Sequence, residues 1–330
     1  MDKDMIRIPS DSLDAPGSPL SGSPLVLTGD PDEAGAPSAA LVLVDRAGAL
    51  PSADPAAFAA LVTTRPAAPA PWVSVAPGRL EAQLGECAAT AARDPVATSM
   101  LARLLRLGEG LAFDAALEME SLAYSALLGG GEFAAWRKGA VAQPDAPTAP
   151  DPVRYDREGD AVTLSLASPG NRNAMTAAMR DALCEGLANV LDDPSAPSLL
   201  LRGDGRCFST GGHLPEFGTA RDLARAHLIR MERSPARLLH RLGARTEARL
   251  HGACIGSGIE IPAAAARRIA APGTFVQLPE LRMGLIPGAG GTVTLARAIG
   301  RHRLFWLALG CFRLPAEAAL EWGLFHAVEP

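Results

Sequence analysis

The chain has 330 residues, 48 % hydrophobic and 20 % charged, enough for a sizeable core and, by length, for two compact units or one large unit with an extension. A net charge of −5 argues against a general binder of nucleic acid or of an anionic membrane. The start MDKDMIRIPSDS has no apolar segment of the secretory kind, and no uncharged apolar run reaches the roughly 18 residues a membrane span needs, so the expectation is a soluble cytoplasmic protein.

Residues 1–36 are rich in Ser, Pro, Gly and Asp and read as a mobile tail. Residues 37–139 form the next unit. Ala39–Val44 is a short apolar run and predicts a buried strand ending at Asp45. Asp54–Leu61 predicts a helix and Trp72–Val75 a second strand, together a small α/β fragment. Leu80–Leu128 is alanine-rich and helical in pattern. Asp94-Pro95 marks a helix start, with Pro where its missing N–H costs nothing. Leu101, Leu104, Leu105 and Leu111 recur at helical spacing. Phe113-Asp114 opens a further helix through Leu117, Leu122 and Tyr124, stopped at Gly129–Gly131. The Pro/Ala spacer 140–152 then marks the main boundary; extended, at ~3.1 Å per residue, it could cross roughly 40 Å.

From residue 153 to 330 the pattern becomes strand–helix–strand with glycine loops after strands, which indicates an α/β layer fold. Ala161–Ser168 alternates as a strand, SPGNRNAM turns, and Thr176 can cap a helix to Leu191. Ser198–Arg202 is a buried strand followed by the loop CFSTGG. Ala220–Leu242 reads as helix broken at Ser234-Pro235. Its Arg233, Arg237, Arg241 and Arg245 recur every fourth residue, which with a negative chain reads as a solvated face rather than a phosphate-binding stripe. Glu247–Ile255 predicts a strand. Helices are expected again at Thr292–Ile299, Arg303–Leu309 and Pro315–Trp322.

Several familiar constellations are missing. Ile255 stands where GxSxG needs its first glycine, no HExxH or Cys/His cluster occurs, and PGAGG matches neither GxGxxG nor a Walker loop. The five cysteines (Cys87, Cys184, Cys207, Cys254, Cys311) are scattered without CxxC pairs, which fits reduced thiols. What remains is a pairing of loops with carboxylates. In GSGIE, Gly256, Ser257 and Gly258 follow a strand and open an alanine-rich helix, whose start Pro262 fixes near Ser257–Ile261. Free N–H groups there, joined by one from Gly212 in CFSTGG, could hold a developing oxyanion. Glu260 lies in that first turn, and Glu280 lies in LPEL after the short strand Phe275–Gln277. Both sit among apolar neighbours where an unpaired carboxylate is costly, which favours acid and base work.

CFSTGG, GACIGSGIE and LPELRMGLIPGAGGTVTLARAIG, followed by AEAALEWGLFHAV, closely resemble the enoyl-CoA hydratase/isomerase (crotonase) superfamily over about residues 153–330. The resemblance implies an α/β spiral of ββα turns, an acyl-CoA thioester substrate and a homotrimer or hexamer. It implies no metal or redox cofactor, coenzyme A entering only as part of the substrate, and no nucleic-acid or membrane partner. Gly212 and Ser257 match the two oxyanion-hole donors, and Glu260 and Glu280 match the two glutamates of hydratases. Asn171, Arg172, Asn173, Ala174 and Met175 match the start of the CoA pocket, with His213, Leu214, Gly256 and Gly258 beside the donors. Two departures stand out: Ser257 replaces a usual glycine, and His213 stands where a hydratase often has Asp. The helices that usually close the family's fold do not follow residue 330, whereas Leu84–Lys138 resembles them, so a permutation-like N-terminal helical extension is expected. The expected reaction is hydration of a 2-enoyl-CoA. The same oxyanion hole also serves isomerases, thioester hydrolases and arylacetyl-CoA oxygenases, and a non-catalytic partner subunit is the reading from another class.

Overall fold

The computed structural model describes residues 18–20, 22–33, 38–139 and 148–330. Most of the expected tail (1–17, 21 and 34–36), residue 37, and residues 140–147 of the spacer lie outside the described residues.

The N-terminal part holds a four-stranded parallel sheet in the order β1-β2-β3-β4. Its strands are β1 Leu25–Thr28, β2 Ala40–Asp45, β3 Ala60–Thr63 and β4 Trp72–Ser74. Two expectations are corrected here. Leu25–Thr28 falls within the segment read as a tail, yet it pairs along β2; flanking Pro, Gly and Ser hide so short a strand. Asp54–Leu61 is no helix. Asp54 caps only the single turn Pro55–Ala57, and the apolar ALVT run then enters the sheet between β2 and β4, where burial on both faces outweighs helix propensity. Helices follow at Pro77–Arg93, Pro95–Leu107, Phe113–Leu128 and Gly131–Gly139. Pro95 opens its helix as expected, but the Asp94 side chain bonds Arg93 Nε (2.6 Å) instead of capping.

The second part is built on a six-stranded sheet in the order β13-β10-β8-β7-β6-β5. It comprises β5 Val153–Glu158, β6 Ala161–Leu166, β7 Ser198–Gly203, β8 Thr246–Leu250, β10 Arg267–Ala270 and β13 Ala327–Val328. Only β5 runs antiparallel to its neighbour. A small sheet joins β9 Ala253–Ile255, β11 Phe275–Gln277 and β12 Leu314–Pro315. The run expected as one strand, Glu247–Ile255, is therefore two: the chain turns at Gly252 (φ 58°) and passes from the large sheet to the small one. β10 and β11 repeat that step, so ββ pairs leaving one sheet for the other generate the spiral. The alanine-rich helix expected after Ser257 is also shorter. Ser257–Glu260 makes one turn, Pro262–Ala264 a 3₁₀ turn, and the chain then re-enters the sheet.

A continuous cluster of buried apolar side chains runs from Leu80, Leu101 and Leu105 through Leu164, Leu183 and Leu201 to Leu304, Phe305 and Trp306. Polar contacts reinforce the junction. Arg301 Nη1 donates to Phe58 O (2.7 Å), its Nη2 to Pro55 O (2.8 Å), and its Nε to Glu109 Oε2 (3.0 Å). The arginine stripe also finds a local use: Arg237 and Arg241 lie 3.2 and 3.5 Å from the Asp114 carboxylate at the start of Phe113–Leu128. Among the described residues no helix is long and apolar enough to cross a membrane.

Candidate active site

β9 and β11 run parallel in register, Ile255 opposite Gln277. Their ends therefore emerge together, and the Gly256 N–H closes the junction onto Gln277 O (3.0 Å). After β9 the chain enters Ser257–Glu260. After β11 it enters the 3₁₀ turn Glu280–Met283. Twenty residues apart in sequence, Glu260 and Glu280 are brought to one place by this pairing. A Cβ added at Gly256 would lie 2.7 Å from Glu280 Oε1 and 3.8 Å from Glu260 Oε1, so the two carboxylates converge on the bare Cα of that glycine. Gly256 also has φ 51° and ψ −125°, which other residues avoid.

Both carboxylates are dry, Glu260 2 % exposed and Glu280 7 %. Glu260 Oε2 accepts the N–H groups of Ala289 (2.7 Å) and Gly291 (3.0 Å). Glu280 Oε2 is buried with no hydrogen-bond partner among the described residues, and so is Ser257 Oγ. Burial, then the neighbouring charges of Glu280 and Glu120, holds Glu260 well above the ordinary carboxylate range. Burial pushes Glu280 up to about 8.

Sequence reasoning missed a third acid. Glu120, from Phe113–Leu128, is 2 % exposed. Its Oε1 accepts Gly290 N–H (2.7 Å), and its Oε2 accepts Thr292 N–H (2.9 Å) and Thr292 Oγ1–H (2.6 Å). Burial pushes it up to about 7 against those hydrogen bonds. One turn further along that helix, the Tyr124 ring packs against Gly288, where no Cβ would fit.

The loop after β7 lies against the same strand ends. Ser209 N–H donates to Ala253 O (3.3 Å) and Ile255 N–H to Ser209 O (3.1 Å). Gly258 packs on Ser209 so closely that a Cβ would come 2.6 Å from its carbonyl oxygen. This lacing presses Gly211, next to Gly212, against the β9 end, where a Cβ would come 2.6 Å from Ile255 O and 3.6 Å from Gly256 Cα. Among the described residues neither the Gly212 nor the Ser257 N–H has an acceptor. A cleft of ≈ 510 Å³ opens here, lined by Asn171, Arg172, Ala174, Gly212, His213 and Leu214 among others. His213 Nδ1 lies 3.8 Å from Glu216 Oε1.

Of the expected site residues, Asn173, Met175, Gly256, Ser257, Gly258, Glu260 and Glu280 are not among those lining that cleft, which reaches the β9 end through Ile255 and Gly212. The Asn173 amide is fully buried. It donates to Asp204 O (2.8 Å) and Phe208 O (3.0 Å) and accepts Ser168 N–H (2.9 Å), so it ties the cleft wall from behind. Met175 serves through its backbone, which bridges to Gly212. Cys254 is fully buried on β9, and desolvation drives its thiol pKa up, away from a nucleophile's range. Among the described residues no group of three or more His, Cys, Asp or Glu is arranged to hold a metal ion.

The site chemistry is thus two unpaired amide donors beside a cleft and a pair of buried carboxylates sharing one glycine. Comparison with known proteins is consistent with it. The enoyl-CoA hydratase/isomerase family model matches residues 157–330. A "Probable enoyl-CoA hydratase" of Rhodobacter capsulatus is 31 % identical over 54 % of this chain and 68 % of that protein. The 1,2-epoxyphenylacetyl-CoA isomerase of Escherichia coli is 33 % identical over 52 % of this chain and 67 % of that protein. The crystal structure of enoyl-CoA hydratase from Thermoplasma volcanium superposes on 54 % of this chain and 72 % of that one, with TM-score 0.50 and 28 % identity. That from Bacillus anthracis covers 54 % of this chain and 70 % of that one, with TM-score 0.50 and 29 % identity. The chain belongs to the enoyl-CoA hydratase/isomerase family of the crotonase superfamily.

Proposed function

We propose that the protein adds water across the double bond of a 2-enoyl-CoA to give a 3-hydroxyacyl-CoA, or runs the reverse. The observation that carries this reading is the convergence of Glu260 and Glu280 on Gly256. The thioester carbonyl oxygen would accept the Gly212 and Ser257 N–H groups, which favours the enolate-like charge that builds as water attacks Cβ. Burial raises both carboxylates, Glu280 to about 8, so the pair carries at least one proton at neutral pH. The two amide donors on Glu260 favour its charged form, and Glu280 has no such donors beyond its own backbone. Burial and the charges of Glu280 and Glu120 outweigh those donors and hold Glu260 well above the ordinary range, so the roles are assigned from geometry. Glu260, tethered through Oε2, takes in its charged form the proton from water as it attacks Cβ, and Glu280 gives its proton to Cα. Each atom balances: the hydroxyl and one hydrogen of product come from the water and Glu280, and Glu260 passes its proton back to reset the pair.

The helix Phe113–Leu128 would complete the pocket from the N-terminal side, in the role the family's closing helices play. The support for that permutation-like reading is that Glu120 and Tyr124 meet the turn at Gly288–Thr292. A second reading, isomerisation of an acyl-CoA, is favoured by the identity to the E. coli isomerase. Incubation with crotonyl-CoA separates the two. Loss of the conjugated enoyl absorbance with formation of 3-hydroxybutyryl-CoA is the expected result. Unchanged crotonyl-CoA with a protein that still binds a non-hydrolysable acyl-CoA would overturn the hydratase reading.

A further inference from the structure

The turn that opens the helix Gly291–Ile299 presents four consecutive amides, and two glutamates divide them. Ala289 and Gly291 donate to Glu260, and Gly290 and Thr292 donate to Glu120. A helix N-terminus with free N–H groups favours carboxylates. Here the backbone makes it two-sided: Gly290 has φ 106°, which turns successive N–H groups to opposite faces. Thr292 adds its hydroxyl to the Glu120 face. Glu120 is therefore fully engaged, both oxygens accepting. Among the described residues Glu260 is bonded through Oε2 only, and Oε1 is the oxygen nearer Gly256.

We propose that Glu120 is a positioning residue of the acid/base site, holding the Ala289–Thr292 turn so that Ala289 and Gly291 keep their N–H groups on Glu260. The proposal rests on the acid/base reading of Glu260 and Glu280 given above. The geometry has no slack. A Cβ at Gly291 would come 2.6 Å from Glu260 Cγ, so a small movement of the turn moves Glu260 with it. The Glu120 side is itself fixed. Ser121 and Ser125 of its helix bind Arg230 from Leu223–Glu232, whose guanidinium lies 5.0 Å from the Tyr124 ring centre. His227 of the same helix meets Ser121 Oγ (2.9 Å) and Glu118 Oε1 (2.9 Å). The charged and titratable groups around Glu120 are thus Arg230, Tyr124, Glu260 and Glu280.

The test is the Glu120→Gln variant of the full chain. A glutamine keeps one acceptor, but its NH₂ faces an N–H it cannot accept, so the turn must shift. With crotonyl-CoA, kcat should fall about 10- to 100-fold, as for a misplacement of ångström size, with KM nearly unchanged. An independent readout is the ¹³C-carboxyl titration of Glu260, identified by its disappearance in Glu260→Gln. In Glu120→Gln it should move to higher pH, because Glu260 loses amide donors. Movement to lower pH would mean Glu120 acts only through its charge, and no movement would mean it serves folding alone; either result overturns the proposal. If Glu120→Gln does not fold, Thr292→Val and Thr292→Ser replace it. Valine should lower kcat and raise the Glu260 titration while serine restores both, and equal behaviour of the two overturns the proposal. The titration needs no turnover, so it stands even where wild-type protein leaves crotonyl-CoA unchanged and the hydratase reading fails.

Discussion

Glu260 and Glu280 converge on Gly256, where an added Cβ would come 2.7 Å from Glu280 Oε1 and 3.8 Å from Glu260 Oε1. Any side chain there would occupy the space in which the two acids face one another. Gly256→Ala should therefore cost about 1–3 kcal/mol, through its φ of 51° and the displaced Glu280. Crotonyl-CoA hydration should fall on the order of 10²-fold or more. Denaturant unfolding and steady-state rates on the same sample check both, and an active, equally stable variant would contradict the geometry.

Three buried glutamates also set a pH dependence of stability. Burial raises Glu280 to about 8 and Glu120 to about 7 from an ordinary 4.5. Their protons are held more tightly in the folded chain than in the unfolded one. The stability this lends is complete below about pH 4.5 and is lost as the pH rises through 7 and 8. The thermal midpoint of the wild type should fall between about pH 5 and pH 9, and that of Glu280→Gln should fall less. Parallel curves for the two proteins would contradict the raised value at Glu280.

The role assigned to Ser257 belongs to its backbone. It is the first residue of a helical turn, where proline is tolerated. Ser257→Pro deletes the N–H and should lower kcat by about 10²–10³-fold. Ser257→Ala keeps the N–H and removes only an unpaired buried hydroxyl, so it should stay within a few-fold of wild type. A proline variant as active as the alanine variant would remove Ser257 from the oxyanion hole.

Arg301 donates to Phe58 O and Pro55 O and is itself buried. Removing residues 1–139 would leave that guanidinium, and the apolar face of Arg301–Gly310, without partners. The 140–330 fragment should be insoluble or unassembled on expression. A soluble, fully active fragment would contradict the structural role given to the N-terminal helices.

Much of this site could be read from the chain because its chemistry sits in short stretches. GSGIE and LPEL each put a carboxylate next to a marked turn, and the register of β9 and β11 then supplies the proximity that spacing alone could not. Glu120 was hidden for a physical reason. Leu117, Leu122 and Tyr124 suggest one apolar face of Phe113–Leu128, but Leu122 is 54 % exposed and the face that turns inward carries Phe113, Ala116, Leu117, Glu120 and Ser121. A glutamate at i+3 from Leu117 and i+4 from Ala116, both buried, was the available signal, and only its partners at Gly290 and Thr292, far along the chain, give it meaning. Asn173 shows the converse. Its place in the turn NRNAM suggested substrate contact, whereas its amide is used up by the backbone of the neighbouring loop.

The most direct test of the account is kcat for crotonyl-CoA hydration by Glu260→Gln and Glu280→Gln beside wild type. Each substitution keeps size and burial while removing the acid/base function. Each should lower kcat on the order of 10²-fold or more, with acyl-CoA affinity retained. A glutamine at either position that leaves the rate near wild type would contradict the two-carboxylate mechanism.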